Sequence, residues 1–400
     1  MIWNAMNVRG YNILYNIYIT MKKVIAWLWI AWLVGIYSIF GWWGVVDKGN
    51  IYFTKWLQHD SGYNLVWTGQ IGDKKFVDPK AWVDYKYKIA SPDNSNIIWE
   101  MATMFAMASN RDKKLSDLQI SVSPLLYISH KSLPIDYTSK FRKYMPWVDY
   151  MTNRNEFIRI QNWLNPIDSI IENGAWYIET PRDLIAVVHK DLPQERAINI
   201  YFWLIKLWAK PKFGWFISNG PIWIADVVNT TVKKAMQQTR YRKYKYNRIR
   251  PEEVAWLFEF RDTLTWEVKK RVDKNYFEYT TRPEIANSKV KYGTYLLPQA
   301  YPEGSPLHTD YPQWHSTFAV VVQAFINTMF DTEYMIPNYV ADRWLLIQSG
   351  SISIWNATQL FVDNIAIGRD YAWVHFIQAW VNNQKPIYNL AKKEFDNYFK

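Results

Sequence analysis

Lys243-Tyr-Lys-Tyr-Asn-Arg-Ile-Arg250-Pro251 sets a lysine seven residues ahead of an Arg-Pro pair, at the end of an apolar-periodic run that begins at Pro221. Two shorter stretches follow it. Tyr311-Pro312-Gln313-Trp314-His315-Ser316-Thr317 is a turn-like segment opening an apolar helix, and Gly368-Arg369-Asp370-Tyr371-Ala372-Trp373-Val374-His375 spaces arginine and histidine six apart near the end of a helical run. Together they offer the cations Lys243, Arg250 and Arg369, a helix N-terminus with free N–H groups, and the histidines His315 and His375. Such a set suits a tetrahedral oxyanion. Arginine forks grip its oxygens bidentately, and amides at a helix start add donors and a favourable dipole. One histidine can bond the central atom while the other exchanges a proton with an axial oxygen. Phosphate and vanadate are the obvious occupants.

Outward from these stretches the chain reads as helical. Apolar residues recur at three- and four-residue spacing over 96–111, 181–209, Pro221–Tyr246, 317–330, 353–367 and 385–398, which predicts an all-α bundle. No repeat or low-complexity tract breaks it, so residues 48–400 form one expected helical domain. Before it, the run 24–46 follows Lys22 and Lys23 and carries no charge over 23 positions, long enough to cross a bilayer as an apolar helix. Lysines on its N-terminal side predict export of everything after residue 47, with 1–47 either a cleaved signal peptide or a retained membrane anchor.

Composition narrows the chemistry. The 400 residues include 49% hydrophobic side chains, and 47 Lys and Arg outnumber 36 Asp and Glu for a net charge of +11. That apolar content closes a sizeable core, excluding a disordered, collagen-like or disulfide-stapled chain. With no cysteine, thiolate zinc sites, iron–sulfur clusters, haem-thiolate and cysteine nucleophiles are excluded. The redox compartment stays open. Residues 240–250 interleave six basic side chains with Tyr241, Tyr244 and Tyr246. Alone, that stripe reads as a nucleic-acid or anionic-membrane patch or a solvated helix face. The motifs downstream draw Lys243 and Arg250 to the oxyanion, leave the other basic residues solvated and require no nucleic acid. His59, His130 and His189 read as structural.

The three elements, in this order, resemble the signature of vanadium-dependent haloperoxidases and of the acid phosphatases that share their fold. Thr294-Tyr-Leu-Leu-Pro-Gln-Ala300 and Glu303-Gly-Ser-Pro-Leu-His308 are similar to the algal bromoperoxidase branch. So are Pro181-Arg-Asp-Leu-Ile-Ala-Val-Val-His189 and Gly214-Trp-Phe-Ile-Ser-Asn-Gly220. The resemblance implies vanadate as cofactor, with Lys243, Arg250 and Arg369 neutralising its equatorial oxygens and His375 bonding the metal. It implies that His315 is the acid–base group, that Lys243 polarises hydrogen peroxide, and that His308 favours bromide or iodide over chloride. Hypohalous acid is the implied product, a homo-oligomer the implied assembly, and the organic acceptor is left open. Two alternatives remain: an acid phosphatase with His375 as nucleophile and His315 protonating the leaving group, and a non-catalytic surface protein with a blocked pocket.

The chain departs from the family pattern at three places. Gln313 and Trp314 stand where the motif carries serine and glycine, and Ala379 replaces an aspartate four residues beyond the ligand histidine. Glutamine can still donate through its amide; tryptophan either swings away or fills the pocket. The partner orienting His375 is unassigned. Tryptophan is also abnormal overall, since 24 Trp against 15 Gly in 400 residues inverts the usual order, with glycine well below its ordinary share of about 7%. Trp314 and Trp373 fall at glycine places of the motifs, Trp215 after Gly214 falls in another segment that is glycine-rich in the family, and Phe40-Gly-Trp-Trp-Gly44 reads as an interrupted glycine run. The expectation is that many of these tryptophans are UGA codons from a genome that reads UGA as glycine; UGG codons at Trp314 and Trp373 would exclude it.

Overall fold

Among the described residues proline opens five α-helices: Pro181–Val188, Pro193–Lys206, Pro221–Tyr246, Pro251–Glu259 and Pro283–Tyr292. Its φ is preset for the helix, and its missing N–H falls among first-turn amides that have no acceptor within the helix. The computed structural model describes residues 97–128, 143–161, 170–171, 177–189, 193–213, 220–246, 248–264, 266–306, 308–342, 345–381 and 383–399. The apolar run 24–46, His59, His130, Trp215 and Phe40–Gly44 lie outside them. The other helices are Ile97–Ser109, Arg154–Gln161, Trp266–Thr281, Trp314–Met329, Ile354–Tyr371, Gln378–Val381 and Gln384–Tyr398.

The Trp314–Met329 helix is the hub. Its side chains are buried without a break from Ala319 to Met329, and a helix apolar on every side belongs at the centre of a fold. It packs on Pro193–Lys206, Pro221–Tyr246, Ile354–Tyr371 and Gln384–Tyr398, where Leu204, Val228, Phe325, Phe361 and Phe395 share one core. A second core, with Met101, Phe105, Trp256, Val272 and Ile285, joins Ile97–Ser109, Pro251–Glu259, Trp266–Thr281 and Pro283–Tyr292. Ile365 belongs to the first core and Trp373 and Phe376 to the second. The Ile354–Tyr371 helix and its exit therefore bridge the two cores, and the site is built at that bridge.

Three differences from the sequence reading have physical causes. The run 181–209 is two helices, because Pro193 cannot extend a ladder and instead begins a new one. Helices cover 251–292 where apolar periodicity is weak, each anchored by a buried stripe such as Val254, Leu257, Val268 and Val272. The chain is also not purely α: Met335–Asp342 and Leu345–Ser353 pair as an antiparallel hairpin, with an irregularity between Pro337 and Tyr339 where proline has no N–H for the ladder. Among the described residues no helix is long and apolar enough to cross a membrane.

Candidate functional site

Arg250 precedes a proline, which disfavours helical backbone. It adopts an extended conformation and caps the Pro251–Glu259 helix, its N–H donating to Glu253 Oε2 at 2.8 Å. Lys243 comes from the last turns of the Pro221–Tyr246 helix. His315 sits in the first turn of Trp314–Met329, where the amides of 314–316 precede any intrahelical acceptor. Gly368 lets the Ile354–Tyr371 helix lie against Pro181–Val188: a Cβ there would stand 2.8 Å from Val188 Cγ2. That close approach sets the depth of Arg369, the next residue.

Lys243, Arg250, Arg369, His308, Gln313 and His375 are all buried, and His315 and Trp314 are partly exposed. The three cations meet the histidines in one cluster. Arg250 bonds His308 Nδ1 at 2.9 Å and the backbone carbonyls of His308 and Val374. Lys243 Nζ donates to the carbonyls of Thr309 at 2.5 Å and Asp310 at 3.3 Å. Arg369 lies 4.9 Å from the Tyr301 ring centre, and its Nε has no hydrogen-bond partner. Burial, reinforced by these cations, pushes the His308, His315 and His375 imidazoles well below the ordinary histidine range. Burial also lowers the Arg250 guanidinium to about 10, against the pull of Asp310. The site thus holds neutral imidazoles among guanidinium and ammonium groups, a setting that favours a bound anion.

His375 answers the question left by Ala379. Its Nδ1 lies 2.9 Å from Asp310 Oδ1, which also accepts the Phe376 N–H at 3.2 Å. Burial pushes the Asp310 carboxyl up to about 6, against the opposing pull of Arg248, Arg250 and Lys243. With Nδ1–H given to Asp310, the neutral ring keeps its lone pair on Nε2, the form a metal ligand needs. Asp310, two residues past His308, gave no sign of this role in the sequence. His189, read as structural, bridges Tyr144 at 2.6 Å and Glu303 and stacks on Tyr301 at 4.0 Å. Its backbone carbonyl meets the His315 ring.

The substituted positions behave differently. Gln313 turns its amide N–H to the Ala366 carbonyl and Asp370 Oδ1, both at 3.3 Å, and its Oε1 has no partner. The Trp314 indole stacks on His308 with ring centres 4.2 Å apart, 5.6 Å from Lys243 Nζ. Arg248, expected to be solvated, is fully buried against Glu100 and faces Asp310 at 3.6 Å, because it must pair with carboxylates in the interior.

A helical bundle that brings three cations and three histidines into one buried cluster has the donors to hold an oxyanion. No family model matches the chain. Over 279 residues it is 26% identical to the vanadium-dependent bromoperoxidase of Corallina officinalis, a match covering 60% of this chain and 46% of that one. The same identity holds over 288 residues with the vanadium-dependent bromoperoxidase of Ascophyllum nodosum, covering 64% and 50%. The chain spans about half the length of these curated relatives. In fold it is similar to a homohexameric vanadate-dependent bromoperoxidase from Ascophyllum nodosum, with a TM-score of 0.55 at 17% identity, over 74% of this chain and 64% of that one. The chain is thus similar, over some 60% of its length, to the vanadium-dependent bromoperoxidases of marine algae, and shares the fold of one of them.

Proposed function

We propose that the protein is a vanadate-dependent haloperoxidase that oxidises bromide or iodide with hydrogen peroxide to hypohalous acid. The observation that carries this reading is the convergence of Lys243, Arg250, Arg369, His308 and His375 in one buried cluster with His315, in a relative of the bromoperoxidases. The donor set fits the cofactor. Arg369 keeps an unpartnered Nε, and the Arg250 fork brings five N–H groups to three protein acceptors. His375 would hold vanadium through Nε2, while Lys243, Arg250 and Arg369 would neutralise the oxygens. Bound vanadate supplies a Lewis acid that activates peroxide toward halide.

The chain's own residues do the rest. Asp310 orients His375 and fixes its tautomer. His315, partly exposed at a helix N-terminus, takes and returns a proton as peroxide enters. His308, held by Arg250, lines the halide side. Supporting readings concern the whole protein: export, with 24–46 as signal or anchor, and assembly from several copies.

One observation favours a second reading. The Trp314 indole on His308 closes the pocket of the chain as written, which would make it a non-catalytic relative. Parallel assays of bromide and iodide oxidation and of phosphoester hydrolysis, with and without vanadate, test both. Vanadate-dependent halide oxidation supports the proposal. Phosphoester hydrolysis alone supports a phosphatase, and no activity in a Trp314→Gly, Trp373→Gly variant that also fails to bind vanadate supports a degraded, non-catalytic pocket.

A further inference from the structure

Tryptophan occupies backbone conformations in this chain that residues with a side chain rarely adopt. Among the described residues five non-glycines have positive φ, and three are tryptophan: Trp147 at 64°, Trp208 at 65° and Trp373 at 70°. None is Asn or Asp, the residues that best tolerate the left-handed region. Each of the three stands in a motif that calls for glycine. Met145-Pro146-Trp147-Val148 is a turn closed by the Val148 N–H on the Met145 carbonyl at 3.3 Å. Proline second and a left-handed residue third is the type II pattern, whose third position takes glycine. The Pro193–Lys206 helix ends with the Trp208 N–H on the Ile205 carbonyl at 2.9 Å and the Ala209 N–H on the Leu204 carbonyl at 3.0 Å. That pair of bonds is a Schellman motif, and Trp208 is its left-handed residue. Trp373 stands likewise beyond the Ile354–Tyr371 helix, its N–H on the Asp370 carbonyl at 2.8 Å. After Pro283–Tyr292, the corresponding residue is Gly293, with φ 74°.

At 147 and 208 the indoles give little in return for the strain, whereas Trp373 packs in the second core under the Arg111 guanidinium at 3.9 Å. Trp147 and Trp208 are 71% and 86% exposed. Trp373 is buried, but its indole N–H has no hydrogen-bond partner, and neither has that of Trp314, where an unsatisfied buried donor is destabilising. We propose that the protein made in its own cell carries glycine at positions 147, 208 and 373 and, by the same decoding, at 314. The first three assignments rest on backbone geometry and owe nothing to the haloperoxidase reading; the fourth deepens that reading. Glycine at 314 removes the ring from beside His308 and Lys243 and lets the helix-start amide approach an oxyanion closely.

Peptide mass spectrometry of the protein from its native cell, read beside its coding DNA, decides the matter. Glycine at 147, 208, 314 and 373 over UGA codons is the expected result; tryptophan over UGG codons overturns the proposal. Recombinant variants test the structural ground. Trp147→Gly and Trp208→Gly should each raise the melting temperature by about 2 °C. Trp99→Gly, in a helix and under the Arg282 guanidinium at 3.7 Å, should lower it. A fall in melting temperature for Trp147→Gly and Trp208→Gly overturns the geometric argument. Vanadate titration of Trp314→Gly by vanadium NMR separates this inference from the function: glycine found at 314 with no vanadate bound would sink the haloperoxidase reading and leave the decoding intact.

Discussion

Two regions of the molecule bury arginine and treat its charge in opposite ways. Beneath the Pro181–Val188 helix, Arg111 lies 2.6 Å from Asp149 and Arg182 lies 2.6 Å from Asp112 and 3.1 Å from Asp149. There each guanidinium meets a carboxylate. Around His375, Arg250 directs its fork at His308 and the carbonyls of His308 and Val374, and Lys243 reaches the carbonyls of Thr309 and Asp310. Neutral acceptors position a cation without cancelling its charge, and the buried Asp310 carboxyl offsets that charge only in part. An arginine that builds the fold is paired with a carboxylate; Arg250 is hydrogen-bonded to neutral acceptors.

The contrast can be broken most sharply at His375. His375→Ala should abolish vanadate retention after dialysis, because the chain contains no cysteine thiolate to replace the ring; tight retention would end the assignment. On the structural side, Asp149→Ala leaves Arg111 and Arg182 sharing too little negative charge and should cost about 3 kcal/mol in a denaturant titration. A change of a few tenths would show that this region is not held by charge closure. His315→Ala should leave vanadate bound but lower turnover by roughly a hundredfold. Joint loss of vanadate and turnover would deny His315 a separate role.

Smaller effects sharpen the comparison. Asp310→Ala should weaken vanadate binding about tenfold or more through His375, whereas Asp310→Asn, which can still accept from Nδ1, should recover part of it. Equal loss in both would point to the carboxylate charge instead of the hydrogen bond. At Asp149 burial raises the carboxyl, but Arg111 and Arg182 outweigh it and hold the group below the ordinary range. Its stabilisation is therefore complete above the ordinary carboxylate value and fades as pH falls through the lowered one. Asp149→Asn should flatten that acid limb of a stability–pH curve, and an unchanged limb would contradict the ion-pair account.

The site was legible where it depended on order and spacing. Lys243, Arg250, His315, Arg369 and His375 could be selected because their motifs lie on helix ends whose starts are marked by proline or turn residues. Asp310 was not legible, since the expected carboxylate lay four residues after His375, at Ala379, and the actual one comes from 65 residues earlier in the chain. Arg248 looked like part of a solvated stripe, and only packing against Glu100 and Asp310 takes it inside. The helices of 251–292 were hidden for a related reason: their buried stripe is short, and their stability comes from neighbours instead of periodicity.

By itself the amino-acid order determined the helical class and singled out cations and histidines whose chemistry suits an oxyanion, because local spacing and side-chain chemistry carry those. The tertiary structure alone decided which carboxylate steadies His375, that the Trp314 ring lies on His308, and that three tryptophans sit at left-handed backbone. Those are facts of approach between segments distant in the chain, or of dihedral angles imposed by turns and helix ends, and no local pattern encodes them.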